Sequence, residues 1–253
     1  MSLISLGSGA PLRLRIHAGL RLAQKEPADD ARPLKPKRVP KTVPLFPEAG
    51  GVSTAEVRSE RLARQVVQLC LMNRINAAIL ERFPSLGLQD WWLTAGALYQ
   101  TVWNLRSGRP AGQGIAGYDI VYFSDDLSAE AEDQVIADTA RLFDDLDADI
   151  RVHNQARVHL WYRDTFGVAF PPVSGASEGI LRYPSRAAAV GLKRTGEEFL
   201  DLFAPYGLDD VWNLIVTPNR TLPVARLYAE KVVRWRCEWP QLTIHPWADE
   251  PTV

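Results

Sequence analysis

Apolar residues at Leu62, Val66, Leu69, Met72, Ile75, Ile79 and Phe83 fall three or four apart, the spacing that gathers side chains on one face of a helix. Ser53 and Glu56 precede this stripe with the spacing of a capping box, so one long amphipathic helix is predicted from Ser53 onward. Cys70 sits beside the stripe and reads as a small buried hydrophobe. The run Asp90-Trp91-Trp92-Leu93-Thr94-Ala95-Gly96-Ala97-Leu98 reads as an extended segment, a glycine turn and a helix that continues from Leu98 to Arg106 and stops at Gly108. Beyond a glycine- and proline-rich loop, Tyr118 to Phe123 alternate as a strand. Tyr118, Ile120 and Tyr122 then share one face, and Asp119, Val121 and Phe123 the other.

A capping serine at Ser128, acids at Glu130, Glu132 and Asp133, and a stripe at Val135, Thr139, Leu142 and Leu146 predict a further helix. Two short strands are expected over Ile150 to His153 and Arg157 to Tyr162. A hairpin is expected from Ala187 to Lys193 and Glu198 to Phe203 around Arg194-Thr195-Gly196-Glu197. Leu208 to Val216 and Val224 to Glu238 read as helices. Strands and helices alternate without a strict βαβ rhythm and no internal repeat is visible. The predicted class is α/β (α+β), a mixed β-sheet with flanking helices.

Composition adds a leader to this picture. The first fifty residues hold seven of the eighteen prolines and nine Lys/Arg against four Asp/Glu, while the whole chain carries a formal charge of -1. Residues 1–50 are therefore expected to be a disordered, basic, proline-rich leader: a targeting helix, a nucleic-acid arm, a plain tail or sequence upstream of the true start. Residues 51–253 are expected to form a single domain with a long N-terminal helix and a C-terminal helical segment. The acidic body argues against a nucleic-acid partner held by phosphate contacts. The two cysteines lack metal-ligand spacing, and no stretch approaches the ~20 apolar residues that cross a bilayer, so a cytoplasmic protein without a membrane partner is expected.

Two features could carry chemistry. The Gly96 turn would present free backbone N–H groups at a helix amino end, which suits a phosphate, and Asp119 on a nearby strand could hold Mg²⁺ against it. Around them the sequence becomes specific. The segments Asp90 to Ala97, Gln100-Thr101-Val102-Trp103-Asn104, Tyr118 to Phe123 and Asn154-Gln155-Ala156-Arg157-Val158-His159-Leu160-Trp161-Tyr162 closely resemble a family of bacterial predicted nucleotidyltransferases. Ala204 to Asp210, Thr217-Pro218-Asn219 and Trp235 to Pro246 extend the resemblance, which covers about Thr54 to Trp247. It implies the polymerase-β-like nucleotidyltransferase fold and Mg²⁺-dependent transfer of a nucleoside monophosphate from a nucleoside triphosphate to an unknown acceptor. Asp119 would be the catalytic carboxylate and metal ligand. Gly96, Ala97, Arg151, Arg157 and His159 would contact the nucleotide, with Trp103 and Trp161 placed to stack a base.

The sequence departs from that pattern where it matters most. The family's strand enters as Asp-x-Asp, but Gly117 stands two before Asp119, and Arg151 stands where a further acid is usual. Asp125 is the candidate substitute metal ligand. A single carboxylate cannot balance two divalent cations. Arg151 could supply a metal's charge from its own guanidinium. The residues therefore leave open an active transferase, a nucleotide-binding pseudoenzyme acting as sensor or interaction module, and a nucleic-acid binder using the leader.

Overall fold

The computed structural model describes Leu3–Ile4, Leu12–His17 and residues 53–248. In chain order the elements are β1 (Leu3–Ile4), β2 (Leu12–His17), α1 (Thr54–Leu71), α2 (Arg74–Arg82), β3 (Trp91–Thr94), α3 (Gly96–Arg106), β4 (Tyr118–Tyr122), α4 (Ala129–Leu142), β5 (Ile150–Asn154), α5 (Val158–Phe166), α6 (Ala176–Ile180), β6 (Gly191–Thr195), β7 (Phe199–Phe203), α7 (Asp209–Trp212), β8 (Ile215–Val216), α8 (Ala225–Glu238) and β9 (Thr243–Ile244). The fold is α/β, built on a seven-stranded mixed sheet in the order β1-β2-β7-β6-β3-β4-β5. Neighbours pair antiparallel except β2 with β7 and β4 with β5.

Strand alternation sorts the sheet into two faces. Trp91, Leu93, Tyr118, Ile120, Tyr122 and Val152 join the main core, with Val66, Ile79, Val102 and Trp103 from the helices over that face. Trp92 and Val121 point the other way, into a smaller cluster with Ala176 and Ile180 of α6. A third cluster packs Val158 and Tyr162 of α5 on Phe170, Leu222 and Val224.

Four expectations are corrected. The predicted long helix is two, because Asn73 leaves the helical region (φ -81°, ψ 112°) and its side chain caps α2 at the Ile75 N–H. The same side chain donates to Thr101 Oγ1 at 2.9 Å and Tyr118 Oη at 3.2 Å, so the break is held by buried hydrogen bonds. The predicted strand over Arg157 to Tyr162 is a 3-10 turn, Gln155–Arg157, followed by α5. Asn154 starts that turn by accepting from the Ala156 N–H, and Val158 and Tyr162 are buried four residues apart, a helical period. The helix expected over Leu208 to Val216 is only α7, after which Leu214 adopts φ 57° and the chain enters β8.

The fourth concerns the leader. Leu12–His17 is not a disordered segment but a strand running parallel to β7, with Arg13 opposite Phe199 and His17 opposite Phe203. Arg15 makes two hydrogen bonds to buried Asp201, Nε at 2.6 Å and Nη2 at 3.1 Å, which fixes the register. Most of the remainder of residues 1–50, including the proline-rich stretch, lies outside the described residues.

Candidate functional site

Asp119 is placed by register. In β4 it stands opposite Thr94 of β3 on one side and Arg151 of β5 on the other, while Val121 stands opposite His153. Because Tyr118, Ile120 and Tyr122 are drawn into the main core, Asp119 and Val121 face the opposite side of the sheet together with Arg151 and His153. All four line a cavity of about 330 Å³ closed by residues of α5, α6 and α8.

The turn after Thr94 lies next to Asp119, as expected. The residue under backbone strain is Ala95, at φ 54° and ψ -132°, a conformation that favours glycine. Ala95 itself lines the cavity. Gly96 begins α3, and a Cβ there would lie 3.0 Å from Gln100 Nε2. No side chain caps this helix, but the Ala95 carbonyl takes the N–H groups of Leu98 and Tyr99, and Gly96 is buried and does not line the cavity, so the expected phosphate contact at Gly96 is not seen. Ala97 is buried as a whole residue and does not line the cavity, so it makes no ligand contact there of the kind the resemblance implies.

The metal expected from the resemblance does not fit these residues. A Cβ on Gly117 would stand 2.2 Å from Arg151 Nη2 and 2.5 Å from Cζ, so the guanidinium fills the space in which a second carboxylate would project. Arg151 is held there by Asp149 Oδ2 at 2.7 Å and the Ala116 carbonyl at 3.0 Å, and its Nη1 lies 3.7 Å from Asp119 Oδ1. Its hydrogen bond to Asp149 raises its affinity for a proton further, so it is a permanent cation. Asp125 offers no substitute. It is exposed beyond the far end of β4, which alone separates it from Asp119 by roughly 10 Å at ~3.3 Å per residue. Among the described residues no three His, Cys, Asp or Glu side chains come together as a metal-binding group.

A second cation faces the cavity from α8. Lys231 presents accessible surface, yet the protein packed around it lowers its pKa, with Asp119 pulling the other way and Arg234 and Arg151 adding to the lowering. Tyr183 and Tyr99, also on the wall, are pushed up by burial and by the charge of Asp119. The cavity thus sets one carboxylate among several donors and cations, an arrangement that receives anionic oxygen atoms.

The other predicted residues divide. Arg157 is turned away, its Nε 3.2 Å from Glu132 Oε2 and its Nη1 on the Ser128 carbonyl, and it braces α4 against the turn after β5. His159 is on a helix rather than a strand, does not line the cavity, and has a buried Nδ1 with no hydrogen-bond partner. Trp103 is buried among Tyr99, Trp235 and Trp239 and has no free face for a base. Trp161 does line the cavity and is 38% exposed. Sequence reasoning gave no role to Gln155, Lys231, Arg182 or Tyr183, all on the wall. Gln155 lay inside a recognised motif; Lys231 carried no signal because α8 reads as an ordinary charged helix.

A mixed sheet that carries strand, tight turn and helix beside an acid on the next strand defines a nucleotidyltransferase-type fold. A family model described as "Nucleotidyltransferase" matches residues 81–244, and the chain belongs to that family. A solved structure, described as "The NMR structure of the protein reveals a CCA-adding enzyme head domain", is similar at 25% identity with a TM-score of 0.58. The match covers 71% of this chain and 95% of the other. Among curated proteins no match was found. Among the described residues no helix is long and apolar enough to cross a membrane.

Proposed function

We propose that the cavity binds a nucleoside triphosphate whose phosphates are held by side-chain cations, Arg151 foremost, so that nucleotidyl transfer is slow or absent. The observation that carries this is the guanidinium of Arg151 in the space above Gly117. The family relationship supports a nucleotide as ligand, and Lys231, which faces the same cavity from α8, supplies a second cation for phosphate. Asp119 then acts chiefly by orienting Arg151 and Lys231. Two free cysteines, one of them exposed, agree with a reducing cytoplasm.

The test is binding of ATP, GTP, CTP and UTP, each in EDTA and in Mg²⁺, read by thermal shift and calorimetry. A nucleotide at ~100 times its Kd stabilises the fold by about 2.7 kcal/mol, and this stabilisation is expected in EDTA as well as in Mg²⁺. Arg151→Ala should weaken binding about tenfold, at the low end for a charge-assisted hydrogen bond because the group is half-exposed. Transfer is then assayed with labelled nucleotides and several acceptors, a nucleic-acid end included because the matched structure is described by a CCA-adding enzyme. Binding that requires Mg²⁺, or brisk transfer abolished by Asp119→Ala, would overturn the proposal in favour of a metal-dependent transferase.

A further inference from the structure

Gln155 is only 7% exposed and lines the cavity, yet among the described residues its amide has no hydrogen-bond partner. The amide is not sealed in the protein but opens on the cavity, where solvent or a ligand can complete it. Its position is built with care. Asn154, immediately before it, accepts from the N–H groups of Ser124 and Ala156 and donates to the carbonyls of Ser124 and Asp126, which fixes the turn. On the other side, a Cβ on Gly179 of α6 would lie 1.8 Å from Gln155 Oε1, so the amide occupies room that only a glycine leaves.

The surroundings specify the shape of the missing partner. Val158, Tyr162, Phe166 and Phe170 line the same cavity, with ring centroids 4.6 Å apart for Tyr162 and Phe166 and 4.9 Å for Tyr162 and Phe170. Trp161 adds an exposed indole. Arg151 near the start of β5 and Gln155 just past its end are roughly 13 Å apart at ~3.3 Å per residue. The Asp119 and Arg151 charges thus lie at one part of the cavity and the aromatic surface of α5 at another, where the one cation among the described residues is Arg182, stacked 4.6 Å over the Phe170 ring.

We propose, resting on the nucleotide reading above, that this aromatic part is a nucleobase subsite and that Gln155 is its specificity-determining residue. A carboxamide offers a donor and an acceptor side by side, the complement of a heterocycle edge carrying an acceptor beside a donor. Stacking on the aromatic wall favours any base, while the amide pairs well only with an edge of matching pattern.

The experiment measures dissociation constants of the full chain for ATP, GTP, CTP, UTP and inorganic tripolyphosphate, in wild type, Gln155→Leu and Gly179→Ala. Wild type should bind at least one nucleotide about tenfold to a hundredfold more tightly than tripolyphosphate and should rank the four bases. Gln155→Leu should collapse that ranking and leave tripolyphosphate affinity unchanged. Gly179→Ala, which crowds the amide, should alter the ranking in the same way and serves if the first variant fails to fold. Unchanged base ranking in a folded variant would overturn the base subsite while leaving nucleotide binding intact. Equal affinity of wild type for tripolyphosphate and all four nucleotides would do the same. Failure of wild type to bind either kind of ligand would instead overturn the nucleotide reading, and this proposal with it.

Discussion

Removing the Arg15 side chain should destabilise the fold although the residue belongs to a segment that composition alone would discard. The two partners are unequally solvated: the Asp201 side chain is 6% exposed and that of Arg15 is 40% exposed. Arg15→Ala therefore strands a buried carboxylate, which keeps only the Thr195 hydroxyl at 2.8 Å and His17 Nε2 at 3.5 Å, and it also loses the guanidinium stacked 4.2 Å over the Phe199 ring. An uncompensated buried polar group costs about 1–3 kcal/mol; with one hydroxyl partner retained the middle of that range applies, about 2 kcal/mol. For a chain of this size that corresponds to a fall in Tm of about 4–8 °C. Asp201→Asn should cost less, since Arg15 can return to water. Arg15→Lys should fall between, keeping the charge but not the two-pronged geometry.

The same pair predicts a pH signature. Burial alone would raise the Asp201 pKa, but the hydrogen bonds from Thr195 and Arg15 and the charge of Arg15 outweigh it and hold it below the ordinary 3.8. A carboxylate with a depressed folded pKa contributes stability that is present above its unfolded pKa and is lost as pH falls through the folded value. In Arg15→Ala the unpaired carboxyl takes up a proton at milder acidity. The gap in Tm between wild type and variant should therefore be widest near neutrality and narrow as pH approaches about 4. Circular-dichroism melts at pH 7, 5.5 and 4 measure it. A Tm within one degree of wild type, as a dispensable tail would give, refutes the reasoning.

Two further expectations concern Cys70, buried as its place beside the helical stripe indicates, and Arg157, whose role the structure reassigns. Cys70 is 2% exposed with its thiol pushed up to about 12 by burial, whereas Cys237 is exposed, so a disulfide reagent at pH 8 should titrate one thiol in the native protein and two in urea; two rapid thiols without denaturant would contradict the burial. Arg157→Ala should lower stability by about 1–3 kcal/mol, because Glu132, 15% exposed, loses its cation, and it should leave nucleotide affinity unchanged; urea denaturation and calorimetry separate the two effects, and a large loss of affinity with little loss of stability would restore Arg157 to the cleft.

Legibility followed the physics of each element. Strand alternation at Tyr118 to Tyr122 gave the face of Asp119 correctly, because successive side chains of a strand point to opposite faces and the partly exposed acid cannot share the main-core face with Tyr118, Ile120 and Tyr122. The stripe from Leu62 to Phe83 was read as continuous because the hydrophobic period survives the break at Asn73. Only the capping role of an asparagine, which needs Thr101 and Tyr118 in place, ends the first helix. Arg157 to Tyr162 alternates between polar and apolar residues over a span too short to separate a strand from a helix. Asn154 as a cap was the overlooked signal. Leu12 to His17 also alternates, but its strand exists through a parallel neighbour nearly two hundred residues away, which no local pattern announces. The cavity wall from α5, α6 and α8 is equally non-local, and so Lys231 and Gln155 were silent.

Gly117 and Arg151 illustrate what the sequence withheld. Along the chain they are two separate departures from an acid-rich pattern, each weakening a metal site in its own way. In space they are a single feature: the β4 to β5 register brings Arg151 level with Asp119, and its guanidinium lies where any side chain on residue 117 would begin. Arginine at 151 in this pose requires a glycine at 117, and a glycine at 117 leaves an opening that the guanidinium fills. A carboxylate restored at 117 alone would meet that guanidinium before any metal, and would form an ion pair across the strands. A positive charge thus stands 3.7 Å from Asp119, where the resemblance implies a carboxylate. For the phosphate proposed to bind there, an arginine side chain supplies positive charge without the geometric freedom that lets a metal ion follow a moving phosphoryl group.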